Sequence, residues 1–273
     1  MDKNNSKIFL VLALMFFVLT IGRFVPGQDH QGDDGAEEKS EQYVETENGE
    51  KIVLTLEDLE LAEELSEHLN EEGIPVFCTL DMDPVLQLPE LPTGCEVTSL
   101  TMVLNYFGYP VGKCELADNF LKRSPAGRGT PYESFWGDPY SWRGFGCFAP
   151  VIVQCANDYF ESAGVENMLA FDYSGREFED LFAEIYKGNP VIMWSSINLA
   201  EPYVNSTWKI NGETFEWKAP EHCVVLTGYD LRTGIVKVED PLKGDQLYAA
   251  YLFKDRYVKM GMQAVVVHAM DER

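Results

Sequence analysis

The sequence predicts an α+β fold, with helices packed on an antiparallel sheet. Two observations carry this reading. Three segments, Glu96 to Phe107, Ala149 to Ala163 and Glu177 to Lys187, read as helices. From Pro190 onward the texture changes to short β-rich runs broken by Gly, Asn and Pro. Helices first and strands afterwards fit α+β better than an alternating α/β chain.

Residues 1–27 read as a signal peptide or N-terminal membrane anchor. Lys3 and Lys7 precede an apolar run from Ile8 to Gly22, and Arg23 closes it. That run suits a secretory signal and falls short of the about 17–25 residues of a membrane span. Either version exports the remainder, because positive charge stays on the cytoplasmic side. The expected location is extracellular or at the cell surface, with membrane contact only through this segment.

Residues 28–73 read as an acidic linker and helix. Of these, 29–72 hold 17 Asp and Glu against Lys39 and Lys51. Gln28 to Gln42 has the composition of a solvated linker. Lys51 to Leu56 has the pattern of a short strand. Thr55 and Asp58 form a capping box for a helix to about Asn70, stopped by Gly73. That helix either packs loosely on the domain or serves as an inhibitory pro-segment.

The compact domain is expected over 74–273. Val97, Leu100, Val103, Leu104 and Phe107 share one helical face, and Gly108 with Pro110 ends that helix. Ala149 to Ala163 and Glu177 to Lys187 read as two more helices. The strand candidates are 190–194, 207–210, 214–217, 223–227, 235–238 and 264–268, with a hairpin loop at Asp230 to Gly234.

Net charge is −24, and no basic stripe exists, which excludes nucleic acid as a partner. No Gly-x-x-x-x-Gly-Lys loop is present, which excludes a P-loop ATPase. No Cys-x-x-Cys occurs, and His222 and Cys223 are adjacent, so on a strand they point apart; no metal and no cofactor are expected. The six cysteines permit no bridge assignment, and a monomer is expected.

The candidate chemistry centres on Cys95. Gly94 lets the chain turn before it, and the helix that follows aims unpaired N–H groups at the sulfur, which favours thiolate. The Cys95 N–H is also a natural oxyanion donor. His222 lies 127 residues downstream and opens an apolar strand; papain-type enzymes place the base about 130–150 residues after the nucleophile. Asp240 ends the next strand, so a hairpin brings it towards His222. A symmetric hairpin centred on Arg232 and Thr233 sets Asp240 opposite Val225, three residues short of His222. A bulge, a shifted turn or strand twist must close that gap. Glu221 and Glu239 flank the better candidates and should face away from them. Gln87, eight residues before Cys95, is a candidate second oxyanion donor, or else a solvated loop glutamine. Tyr132, Phe135, Trp136, Tyr140, Trp142 and Phe145 suggest a cleft wall or ordinary loop packing, and Trp136, Trp142 and Trp194 are the candidate substrate-cleft residues.

The segments 92–100 (PTGCEVTSL), 106–109 (YFGY), 137–139 (GDP), 146–150 (GCFAP), 221–230 (EHCVVLTGYD) and 240–242 (DPL) together resemble stand-alone peptidase-like domains related to bacteriocin-leader-processing peptidases. Those domains are bacterial, mostly Gram-positive, and belong to the papain-like superfamily. The likeness covers about residues 75–270. It implies a papain-like fold, Cys95 as nucleophile, His222 as base, Asp240 as orienter and Gln87 as oxyanion donor. The chain lacks the transmembrane and ATPase domains of the exporter-linked relatives, so double-glycine leader cleavage does not carry over. The expected activity is an exported thiol hydrolase acting on a peptide or amide bond through a thioester. The alternatives are acyl transfer by the same triad, or a non-catalytic surface module that binds peptide or glycan.

Overall fold

The computed structural model describes residues 23–25, 42–45, 51–54 and 73–270. The first three stretches are strands β1 (Arg23–Val25), β2 (Gln42–Glu45) and β3 (Lys51–Leu54), paired as an antiparallel meander in the order β1-β2-β3. The strand expected from Lys51 is present. β1 and β2 gave no sequence signal, since three or four residues are too few to show a period. The capping-box helix and the rest of the signal and linker segments lie outside the described residues. Among the described residues, no helix is long and apolar enough to cross a membrane.

From residue 73 the elements follow as β4 (Phe77–Thr79), α1 (Cys95–Tyr106), α2 (Lys113–Asn119), β5 (Arg123–Ser124), β6 (Phe135–Trp136), α3 (Ala149–Ser162), β7 (Met168–Asp172) and α4 (Asp180–Tyr186). Then come β8 (Val191–Ser196), β9 (Tyr203–Ile210), β10 (Glu213–Ala219), β11 (Glu221–Asp230), β12 (Ile235–Asp240), β13 (Gly244–Ala249), α5 (Ala250–Lys259) and β14 (Ala264–Ala269). The central sheet runs β13-β12-β11-β8-β14-β7, and β4 adds to β11; all its pairs are antiparallel. This is the α+β architecture that the sequence predicts.

The sheet is covered on both faces. Ile192, Trp194, Cys223, Val225, Val265 and Val267 point to the side of α1, α2 and α3. Their neighbours Val191, Met193, Val224, Leu226, Ala264 and Val266 point to the side of α4 and α5. Successive strand residues face opposite ways, so two covered faces turn each central strand into a continuous apolar run. That is why 190–194, 223–227 and 264–268 stand out in the sequence without alternation.

β9 and β10 form a separate hairpin. Its inward face carries Trp208, Phe215 and Trp217, which pack on Trp136, Phe145 and Phe148. Trp136 meets Trp208 at 5.0 Å and Phe215 at 5.3 Å between ring centroids, and Phe148 stacks on Trp217 at 5.5 Å.

Candidate active site

Cys95 is the first residue of α1, and ten residues of that helix from Cys95 to Leu104 are buried. The loop before it is pinned from two sides. Thr93 N–H donates to the Pro139 carbonyl at 3.3 Å, and Thr93 Oγ1 donates to the Ser141 carbonyl at 3.0 Å. Gly94 has φ −107°, so no left-handed turn is involved. Glycine is needed there for space: a Cβ would stand 2.8 Å from Leu91 Cβ. The first-turn N–H groups of a helix lack intrahelical acceptors, so the Cys95 N–H points out of the helix end.

His222 and Asp240 meet as a buried pair, Nε2 to Oδ1 at 2.6 Å. The register explains how. β11 carries a bulge between Leu226 and Gly228, so Val225 lies opposite Glu239, not opposite Asp240. One residue further along, Asp240 falls opposite Val224, on the same face as His222 and diagonal to it. A one-residue slip moves a side chain to the other face, so the bulge is what makes the pair possible. The Leu242 N–H also donates to Asp240 Oδ1 at 2.7 Å. Burial pushes the Asp240 carboxyl up, but the His222 hydrogen bond and the Leu242 N–H outweigh it and hold the group below its ordinary value.

Strand alternation sends Glu221 and Cys223 to the face of α1. The Cys95 sulfur sits against them. Its thiol donates to Glu96 Oε2 at 3.3 Å, and the Cys223 N–H donates back to the sulfur. Among the described residues no hydrogen bond joins Cys95 to His222, although the sulfur rests on the backbone of the very next residue. Burial raises the Cys95 thiol well above its ordinary value, and Glu96 and Glu221 raise it further.

Glu96 is fully buried. Its Oε1 accepts the Cys147 N–H at 2.7 Å. Burial lifts its carboxyl to about 7, against the pull of these hydrogen bonds. Burial and the Glu96 charge lift Glu221 well above the usual carboxylate range, and Glu221 Oε1 is sealed from solvent without a partner. Gly146 closes this corner: a Cβ there would meet Glu96 Oε1 at 2.5 Å and Glu221 Oε2 at 3.1 Å. Cys95, Glu96 and Glu221 offer ligand atoms within 4.8 Å of one another, a set with the chemistry to hold a cation. The expectation of no metal rested on Cys-x-x-Cys spacing and on strand geometry at 222–223.

Gln87 reaches the loop before Cys95, but its amide is not free to bind an oxyanion in this structure. Its amide donates to the Leu91 carbonyl at 3.1 Å and to the Pro92 carbonyl at 3.0 Å. Its own N–H holds the Pro241 carbonyl at 2.8 Å, tying the Cys95 loop to the segment after Asp240. Gln87 is therefore a brace and not the solvated alternative. The cleft expectation needs correction at two positions. Trp136 and Trp194 have 0 % exposure, and the Trp194 Nε1–H donates to the Cys147 carbonyl at 2.8 Å; both are core. Burial follows from the hairpin covering Trp136 and from Trp194 lying mid-strand. Trp142, at 76 % exposure, is the one of the three that faces solvent. Sequence reasoning passed over Glu96. The available signal was an acidic residue directly after Cys95 in 92–100, answered by another directly before His222 in 221–230.

Comparison with known proteins gives the same fold. A family model, the Peptidase_C39 like family, matches residues 79–265. The uncharacterized protein YvpB of Bacillus subtilis (strain 168) is 35% identical over 191 residues, 67% of this chain and 72% of that protein. The crystal structure of a protein from Bacillus anthracis described as a C39-like peptidase is 32% identical; it covers 71% of this chain and 100% of its own, with a TM-score of 0.60. A double glycine motif protease from an AMS/PCAT transporter, solved with its leader peptide, is more distant, at 17% identity and a TM-score of 0.41 over 70% of this chain and 93% of its own. With the matched span running from β4 into β14 and enclosing Gln87, Cys95, His222 and Asp240, the chain belongs to the Peptidase_C39 like family and has a papain-like cysteine peptidase fold.

Proposed function

We propose that the protein is an exported cysteine peptidase in which Cys95, His222 and Asp240 act as a triad. The observation that carries this reading is the buried 2.6 Å contact of His222 with Asp240, one residue before the Cys223 N–H that meets the Cys95 sulfur. Asp240 occupies Nε2, which fixes the tautomer with its proton there and leaves Nδ1 as the base. The Cys95 thiol gives its proton to Nδ1, and the thiolate attacks an amide carbonyl. The Cys95 N–H receives the developing oxyanion. The imidazolium then protonates the leaving amine, and water hydrolyses the thioester with His222 as base. Gln87 holds the loop in place in this scheme. Export rests on Lys3, Lys7 and the apolar run from Ile8 to Gly22.

The test is hydrolysis of a fluorogenic peptide library by the full chain, followed by mass spectrometry of a peptidyl electrophile bound to the protein. Wild type should hydrolyse members of the library and carry the adduct on Cys95. Cys95→Ala and His222→Ala should lose turnover. Peptide binding without hydrolysis or adduct, unchanged in both variants, would instead identify a non-catalytic binding module.

A further inference from the structure

We infer that Cys95, Glu96 and Glu221 form a binding site for a thiophilic divalent cation of the Zn²⁺ class, and that the bound ion blocks turnover by taking the Cys95 sulfur. The binding stands on geometry; its consequence for turnover rests on the peptidase reading above. The three side chains place a sulfur and two carboxylate oxygens within 4.8 Å of one another, with the thiol 3.3 Å from Glu96 Oε2. Around a tetrahedral Zn²⁺, with Zn–S about 2.3 Å and Zn–O about 2.1 Å, such ligand atoms stand about 3.6 Å apart. A side-chain adjustment of about 1 Å therefore closes the set on an ion. A second observation points to a ligand: Glu221 Oε1 is sealed from solvent and has no hydrogen-bond partner. Buried charges pair or coordinate metals. Among the described residues no Lys or Arg forms an ion pair with Glu96 or Glu221.

Backbone donors already hold two of the three ligands. The Cys147 N–H takes Glu96 Oε1 at 2.7 Å and leaves Oε2 for the ion. The Cys223 N–H meets the Cys95 sulfur. Hydrogen bonds of this kind orient metal ligands. Gly146 gives the carboxylates their room, since a Cβ there would stand 2.5 Å from Glu96 Oε1 and 3.1 Å from Glu221 Oε2. The donor set selects the ion. Mg²⁺ and Ca²⁺ prefer full shells of oxygen, whereas a thiolate beside carboxylates suits Zn²⁺. On binding, one Zn–S and two Zn–O bonds form, and the thiol proton passes to solvent with any proton the carboxyls carry. The fourth position stays open to water. The sulfur lone pair that would attack a carbonyl is then committed to the metal. His222 keeps its contact with Asp240 and supplies no ligand.

The experiment titrates the reduced full chain with Co²⁺, a spectroscopic stand-in for Zn²⁺, and follows the thiolate-to-metal charge-transfer band in the near ultraviolet. The acidic segment 28–73 has no cysteine, so ions bound there give no such band. Wild type should develop the band at one Co²⁺ per chain, and Zn²⁺ should bleach it. Cys95→Ser should abolish it, and Glu221→Gln should need about tenfold more Co²⁺ or worse. A wild type without the band, a band intact in Cys95→Ser, or a Glu221→Gln titration that matches wild type overturns the proposal. A second measurement needs no variant: Zn²⁺ should slow iodoacetamide alkylation of Cys95 about tenfold or more, read by mass spectrometry, and EDTA should restore it. Alkylation indifferent to Zn²⁺ puts the ion elsewhere and overturns the site. Peptide turnover separates the two readings. Inhibition by Zn²⁺ that EDTA reverses supports both, whereas the Co²⁺ band in a protein without turnover, even in EDTA, keeps the site and overturns the peptidase.

Discussion

At the scale of single residues, the site is governed by which groups can ionise where water is excluded. Asp240 stays ionised because its proton has been displaced by the His222 and Leu242 hydrogen bonds. Asp240→Asn keeps the shape but offers His222 Nε2 an ambiguous partner. Peptide turnover should drop, by up to about 10⁴-fold, the size of the tautomer effect in Ser-His-Asp triads, while circular dichroism stays native. The same group sets an acid limb of stability. A carboxyl lowered in the folded state stabilises fully above its unfolded value near 3.9 and loses that contribution as pH falls through the lower folded value. Urea melts of Asp240→Asn should therefore show a flatter stability loss below about pH 4 than wild type. The types and spacing of Cys95, His222 and Asp240 were legible in the sequence, because Cys, His and Asp are distinctive residues that stand in a fixed order. Glu96 was not, because only the packing shows that its carboxylate turns to the sulfur.

At the scale of elements, β11 does the positioning. Its N-terminal residues alternate between the two machineries, with Glu221 and Cys223 on Cys95 and His222 on Asp240. The bulge near Thr227 then sets the register of β12. Deleting Thr227 removes the extra residue of the bulge and, by this count, leaves Val225 opposite Glu239 and Asp240 diagonal to His222. Cys95 alkylation should therefore stay sensitive to His222→Ala in the deletion variant; loss of that sensitivity with a native far-UV circular dichroism spectrum would exclude this account of the register. Sequence reasoning required some such irregularity but could not locate it, since nothing in 226–228 departs from an ordinary strand pattern. Helix α1 and strands β8, β11, β12 and β14 were readable for a related reason: long or continuously apolar segments signal strongly. β4, β7, β13, α2 and α5 were missed because they are short or mixed in polarity and are fixed by pairing partners far away in the chain.

At the scale of the molecule, the sheet separates two cores, and the acidic corner lies in the one beneath α1. Folding places Glu96 and Glu221 where burial opposes their charge, so their carboxyls are raised relative to the unfolded chain. The folded state then binds more protons than the unfolded state between about pH 4.5 and 7, and stability must fall as pH rises through that window. The melting temperature of wild type should drop between pH 5 and pH 8 more steeply than that of the Glu96→Gln, Glu221→Gln double variant. Equal slopes would mean that the pair is solvated and carries no such cost. The α+β class was legible because it follows from the order of patterns along the chain. The two-sided burial was not, since an apolar run alone does not tell which helices cover which face.

Burial on both sides of β8, β11 and β14 also limits how this protein can change. A substitution at Val224 or Val225 disturbs one core or the other, so these strands have almost no neutral positions. The β9–β10 hairpin differs: Tyr203 and Val204 are exposed, while Trp217 on its inner surface anchors it. A library built to redirect substrate preference should therefore diversify the outer residues of the hairpin and leave the sheet untouched. Variation there leaves His222, Asp240 and the corner around Cys95 in place.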